Sequence, residues 1–150
     1  MTYPVIKITK DTTDQELFDA VVTHMLGMDG PCKDERGNCA YRGPGGTACA
    51  VGALLPDSVL ELYDDAIGEL FKQYTRSVYY ACEEAEPIPE LERLMESEQI
   101  LEVLQFIHDE GANWDDGLNS FGTGALMFMV DKYGLIAPQA LIDRREELKA

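Results

Sequence analysis

Residues 12–27 read TTDQELFDAVVTHMLG, and their spacing decides the class of the fold. Phe18, Val21, Val22 and Met25 recur at i, i+3, i+4 and i+7, which lays one apolar stripe along a helix. Thr12 or Thr13 supplies a cap, and Asp14 and Glu16 fall in the first turn, where the helix dipole favours anions. Gly27 and Gly30-Pro31 end the pattern. His24 shares a face with Leu17 and Val21, so its ring is expected to point inward.

Upstream, Tyr3–Thr9 carries β-branched Val5, Ile6 and Ile8 and reads as a short strand. Downstream, residues 32–38 (CKDERGN) form a polar loop. Residues 39–49 (CAYRGPGGTAC) then read as a tight hairpin, with GPGG as its turn. A loop centred between Pro44 and Gly45 pairs Cys39 with Ala50. One centred on Pro44 sets Cys39 opposite Cys49, and of these two registers only that one brings both sulfurs to one face. Thr47–Leu55 is apolar and small-residue rich, and reads as a short helix stopping before Pro56.

Further helical patterns cover Thr75–Ala85, Glu90–Ser97 and Glu98–Glu110, the last with Ile100, Leu101, Leu104, Ile107 and His108 on or beside its inner stripe. Asp115–Lys132 is expected as the longest helix, with Leu118, Phe121, Ala125, Phe128 and Met129 inward. Gly134 closes it, and Pro138 begins a final helix, Gln139–Lys149. The expected fold is mainly α (α+β): one domain over 1–150, a compact multi-helix body with a short N-terminal strand and a small β-hairpin.

The 150 residues suit one domain, and the chain is long enough to form a core without disulfide staples. A formal charge of −16 argues against direct binding to nucleic acid or an anionic membrane, which needs lysine and arginine to displace counterions. It fits plain solubility, or a surface that attracts a basic partner such as a nucleic-acid-binding protein. No apolar run reaches the roughly 18 residues of a membrane helix, and no leader pattern precedes the strand, so the expected compartment is the cytoplasm. Cys32, Cys39, Cys49 and Cys82 are then expected reduced.

Three constellations bear chemistry. Cys49 at the start of a helix would face unpaired N–H groups, which stabilise a thiolate, and His108 is available as a base. Asp109 follows His108 directly; neighbours on a helix diverge by about 100°, so Asp109 would not easily orient the ring, and Asn113 or Asp115 serves equally well by sequence. Cys39, Cys49, His24 and His108 could instead ligate a structural zinc, although the C-x6-C-x9-C spacing of Cys32, Cys39 and Cys49 lacks a close cysteine pair. Otherwise no cofactor is expected. Finally, residues 83–102 set eight glutamates against Arg93 alone. Glu92/Glu96 and Glu98/Glu102 are like-charge i, i+4 pairs that cost local stability, so the charge reads as a binding surface through Glu92, Glu96 and Glu98 or as a solvated face.

The block Cys39–Asp57, CAYRGPGGTACAVGALLPD, resembles a motif of small phage and prophage proteins: C-x-Y-R, a glycine turn, then C-A-x-G-x-L-[IL]-P-D. Tyr63, His24, the Ile107-His108-Asp109 triplet and Trp114 match further scattered features of that family. The resemblance implies a phage-type origin and residence in a bacterial host, and it implies no mechanism. Tyr41 and Arg42 join Glu92, Glu96 and Glu98 as candidate binding residues. The acidic stretch 83–98 and the tail after Gly134 have no counterpart in the resemblance.

Two function classes follow from the sequence. One is an accessory protein that binds a host or phage protein, in anti-defence or host takeover. The other is a Cys/His-dependent hydrolase or transferase using Cys49 and His108.

Overall fold

The first helix forms where the stripe places it. In a computed structural model that describes residues 3–33, 42–43, 47–56 and 89–149, α1 spans Asp14–Leu26. Thr13 and Glu16 close a reciprocal capping box, each side chain satisfying the other's backbone N–H at 3.1 Å. Leu17, Phe18, Val21, Val22 and Met25 are all buried. Two short strands follow, β1 (Arg42–Gly43) and β2 (Thr47–Ala48), paired antiparallel. Then come α2 (Pro89–Glu96), α3 (Glu98–Asp109), a 3-10 turn (Gly111–Asn113), α4 (Ser120–Tyr133) and α5 (Gln139–Lys149). The mainly helical class holds.

α3 packs between α1 and α4, and α5 closes the group against α1 and α4. The core joins the α1 stripe to Leu101 and Leu104 of α3, Leu126 and Met129 of α4, Leu141 of α5 and the segment Cys49–Leu55. A second link ties the two ends of this arrangement. The Gln15 amide donates to the Ile136 carbonyl and accepts from the Ile136 N–H, both at 2.8 Å, as a neighbouring strand would. Arg144 of α5 donates to the Leu118 carbonyl at 3.0 Å, holding the loop before α4.

Four expectations are corrected. Residues 3–6 are bends, not a strand: an isolated strand needs a partner ladder, and here Val5 N–H bonds only the Ala53 carbonyl, at 2.9 Å. Residues 50–55 form successive turns, with Ala53 N–H bonded to the Cys49 carbonyl, and no regular helix. The hairpin pairs Arg42 with Ala48 and Gly43 with Thr47, a register centred on Gly45 that matches neither expected one. Cys39, whose pairing both turned on, lies outside the described residues, as do the polar loop 34–38 and the helix expected over 75–85.

The fourth correction concerns α4. It starts at Ser120, where Asn119 caps it by accepting from Gly122 N–H at 3.0 Å, and its buried face is Gly122, Thr123, Leu126, Met129 and Val130. Phe121 and Phe128, expected inside, are 76% and 67% exposed. Residues 120–130 are almost uniformly apolar, so amphipathic periodicity cannot choose a face. Contact at glycine chooses it. A Cβ on Gly122 would lie 2.7 Å from the Asn113 carbonyl oxygen, whereas one on Gly124 meets nothing within 4 Å.

The two glycines therefore have opposite expected outcomes. Gly122→Ala should destabilise the fold by about 1–3 kcal/mol, because backbone must shift to admit the methyl. Gly124→Ala should stabilise it by up to about 1 kcal/mol through helix propensity. Urea denaturation of dilute protein reads both.

Candidate functional site

The sequence motifs meet at a buried junction between α3, the segment after α1 and the turns after β2. α3 aims His108 inward, where it is fully buried. Its Nε2 lies 3.1 Å from the Cys32 backbone nitrogen, which donates to it. An Nε2 that accepts carries no proton, so the proton of the neutral ring sits on Nδ1 and is donated to Asp109 Oδ1 at 2.8 Å. Asp109 does orient His108, contrary to the expectation from helical divergence. Asp109 is the last residue of α3, where side chains are less constrained by a following turn.

Gln105 extends the network. Its Nε2 donates to Asp109 Oδ1 at 2.8 Å, and its Oε1 accepts from Val51 N–H at 3.0 Å. Trp114 closes the far side: Nε1 donates to the His108 carbonyl at 2.9 Å, and the two rings meet edge to face. One chain of bonds thus joins residues 32, 51, 105, 108, 109 and 114. Gln105 was missed from the sequence, although a fully buried amide four residues before Asp109 within an apolar stripe has the spacing of a side-chain pair.

Cys49 sits beside this network and is fully buried. Its Sγ accepts from Gly52 N–H at 3.2 Å, as a capping oxygen would, so the expected backbone donors are present. Burial nevertheless outweighs them and pushes the thiol well above its ordinary value, and negative charge on Asp109 and on Cys32 adds to the rise. No Cys49–His108 hydrogen bond forms: the ring is engaged by Cys32 N–H and Asp109. Cys32 Sγ approaches Thr47 Oγ1 at 3.5 Å.

The thiol gives a direct prediction. Cys49 should alkylate much more slowly in native protein at pH 8 than in the same protein in urea, because burial both shelters the sulfur and disfavours its thiolate. Mass-spectrometric mapping of iodoacetamide labelling measures this. A raised folded value also means that unfolded chains lose this proton first, so stability should fall above about pH 9, and less so in Cys49→Ala.

His24 is also inward, with Nε2 donating to the Ala48 carbonyl at 2.7 Å and Tyr3 edge-on to its ring. Among the described residues no three His, Cys, Asp or Glu side chains gather as a metal-holding group. Cys39, the remaining member of the zinc set, lies outside them.

The acidic surface has its own geometry. Arg93, the sole basic residue of α2, is 7% exposed and turned inward. It donates to the Thr12 carbonyl at 2.5 Å, to Ser97 Oγ at 2.7 Å and to Asp14 Oδ1 at 3.1 Å. Ser97 in turn donates to Asp14. Glu92 and Glu96 stay exposed and Glu98 is half-buried; Glu96 reaches Arg93 only at 3.9 Å. Tyr41 lies outside the described residues, and of Arg42 only the backbone is described.

No described helix is long and apolar enough to cross a membrane. No family model, curated protein or solved structure matches the chain.

Proposed function

We propose that this protein acts by binding a basic protein through the acidic surface of α2 and the start of α3. The inward turn of Arg93 carries this reading: the one cation of residues 83–102 is bonded to Thr12, Asp14 and Ser97 inside the fold, which leaves Glu92 and Glu96 facing solvent. A partner that brings lysine or arginine relieves the like-charge cost at those positions. The resemblance of Cys39–Asp57 to phage and prophage proteins supports placing this binding in a bacterial host, in anti-defence or host takeover. A basic nucleic-acid-binding protein has the required chemistry.

A defined lysine/arginine-rich helical peptide serves as probe. Its affinity for wild type should fall at least tenfold between about 50 and 300 mM salt. The Glu92→Lys/Glu96→Lys/Glu98→Lys variant should bind it at least tenfold more weakly at low salt, with unchanged helical circular dichroism. Equal binding by the variant overturns the reading.

A hydrolase or transferase built on Cys49 and His108 has less support. The His108–Asp109 pair has the geometry of an oriented base, but its Nε2 is occupied by Cys32 N–H and the thiol is held protonated by burial.

A further inference from the structure

The outer face of α4 is the other anomaly of this surface. Phe121 and Phe128 stand two turns apart on one side of the helix, about 10.5 Å along its axis, and both are mostly exposed. Between them Gly124 faces open space. Residues 120–130 contain no charged side chain, in a chain with 28 acidic residues.

We infer that this face binds a second copy of the chain, α4 against α4, antiparallel about a twofold axis passing between Gly124 and Ala125. Three features of the face are self-complementary under that operation. Phe121 of each copy falls beside Phe128 of its partner, since the two are equidistant from the axis. The small residues Gly124 and Ala125 meet at the axis, where close approach of the helices is required. Lys132, exposed near the end of α4, is carried to the end where exposed Asp115 and Asp116 precede the partner helix. The register therefore sets Lys132, whose ammonium lies over the Tyr133 ring, among the carboxylates of Asp131 and of the partner's Asp115 and Asp116 at each rim, and places no carboxylate between the aromatic rings.

The charge of the whole molecule selects this face. Two chains of −16 repel, and the repulsion is least where an uncharged stripe is presented. Two aromatic side chains bury at most a few hundred Å² per copy, less than the roughly 800 Å² per partner of a stable complex. Association is therefore expected to be weak and reversible, at or below the low end of specific interfaces. Added salt should strengthen it by screening the repulsion, the opposite of its effect on binding to a cationic probe.

Sedimentation velocity of the full chain from about 5 to 500 µM, at 50 and 500 mM sodium chloride, tests the inference. Wild type should pass from the monomer mass of 16.7 kDa toward twice that value, at lower concentration in high salt. Phe121→Ser/Phe128→Ser should remain at 16.7 kDa throughout while keeping its melting temperature, because neither ring is part of the core. Lys132→Glu should weaken association severalfold. Glu92→Lys/Glu96→Lys/Glu98→Lys should dimerise at least as well as wild type, which separates this face from the acidic one. Monomeric wild type at 500 µM in high salt overturns the inference: the face then serves a different protein or another part of this chain. Undiminished association of the double serine variant overturns it equally.

Discussion

Replacing His108 by alanine should destabilise the protein by about 3–5 kcal/mol. Three losses coincide at that site. The Cys32 N–H is left buried without its acceptor, a cost of about 1–3 kcal/mol. Asp109 loses the donor at its Oδ1, although Gln105 remains bonded to it. The imidazole volume, packed edge to face on Trp114, becomes a cavity. His108→Gln keeps an amide oxygen that can accept from Cys32, and should recover roughly 1–2 kcal/mol. Urea denaturation followed by fluorescence is a direct measurement, because Trp114 is the single tryptophan and bonds to the His108 carbonyl. Wild-type stability in His108→Ala would show that the network is incidental to the fold.

Arg93→Met should cost about 2–4 kcal/mol. The methionine keeps an unbranched apolar stem but donates nothing, so the Thr12 carbonyl and the Ser97 hydroxyl each lose a partner where the guanidinium stood. Asp14 is half-exposed and regains water, which holds the effect below that of a fully buried pair. Arg93→Lys should lose about half as much, because an ammonium cannot span three acceptors as a planar fork does. Glu96→Gln should shift the midpoint negligibly, since that carboxylate is exposed and its contact with Arg93 is long. Thermal and urea unfolding of the four proteins checks the ranking. A large effect at Glu96 together with none at Arg93 would reverse the assignment of inner and outer charge.

Among the described residues, the helices were legible where polar and apolar residues alternate with the helical period. α1 kept its cap and every residue of its stripe, and α3 kept Ile100, Leu101, Leu104, Ile107 and His108 on the buried side. α4 was legible as a helix but not in its facing, because a segment apolar all round carries no directional signal and the deciding contact is the absence of a side chain at Gly122. The N-terminal strand failed because β-branched residues favour extended backbone without supplying a partner. At the site, the inward direction of both histidines was readable from their helical neighbours. Their partners were not, because the His108 acceptor meets a backbone N–H of residue 32, which any residue but proline would offer. The depressed thiol expected at Cys49 came from counting local backbone donors. Burial by distant segments decides the sign, and local spacing does not report it.

The Gln15–Ile136 clasp and the packing of α5 on α1 also bear on how the protein is made. α1 is made before two described helices that pack on it, α3 and α5, which begin at residues 98 and 139. At roughly 5–20 residues per second, α1 waits on the order of ten seconds for its last neighbour. Until Cys49–Leu55, α3 and α5 have all joined it, the stripe of Leu17, Phe18, Val21, Val22 and Met25 is only partly covered on the nascent chain, the kind of surface that chaperones bind.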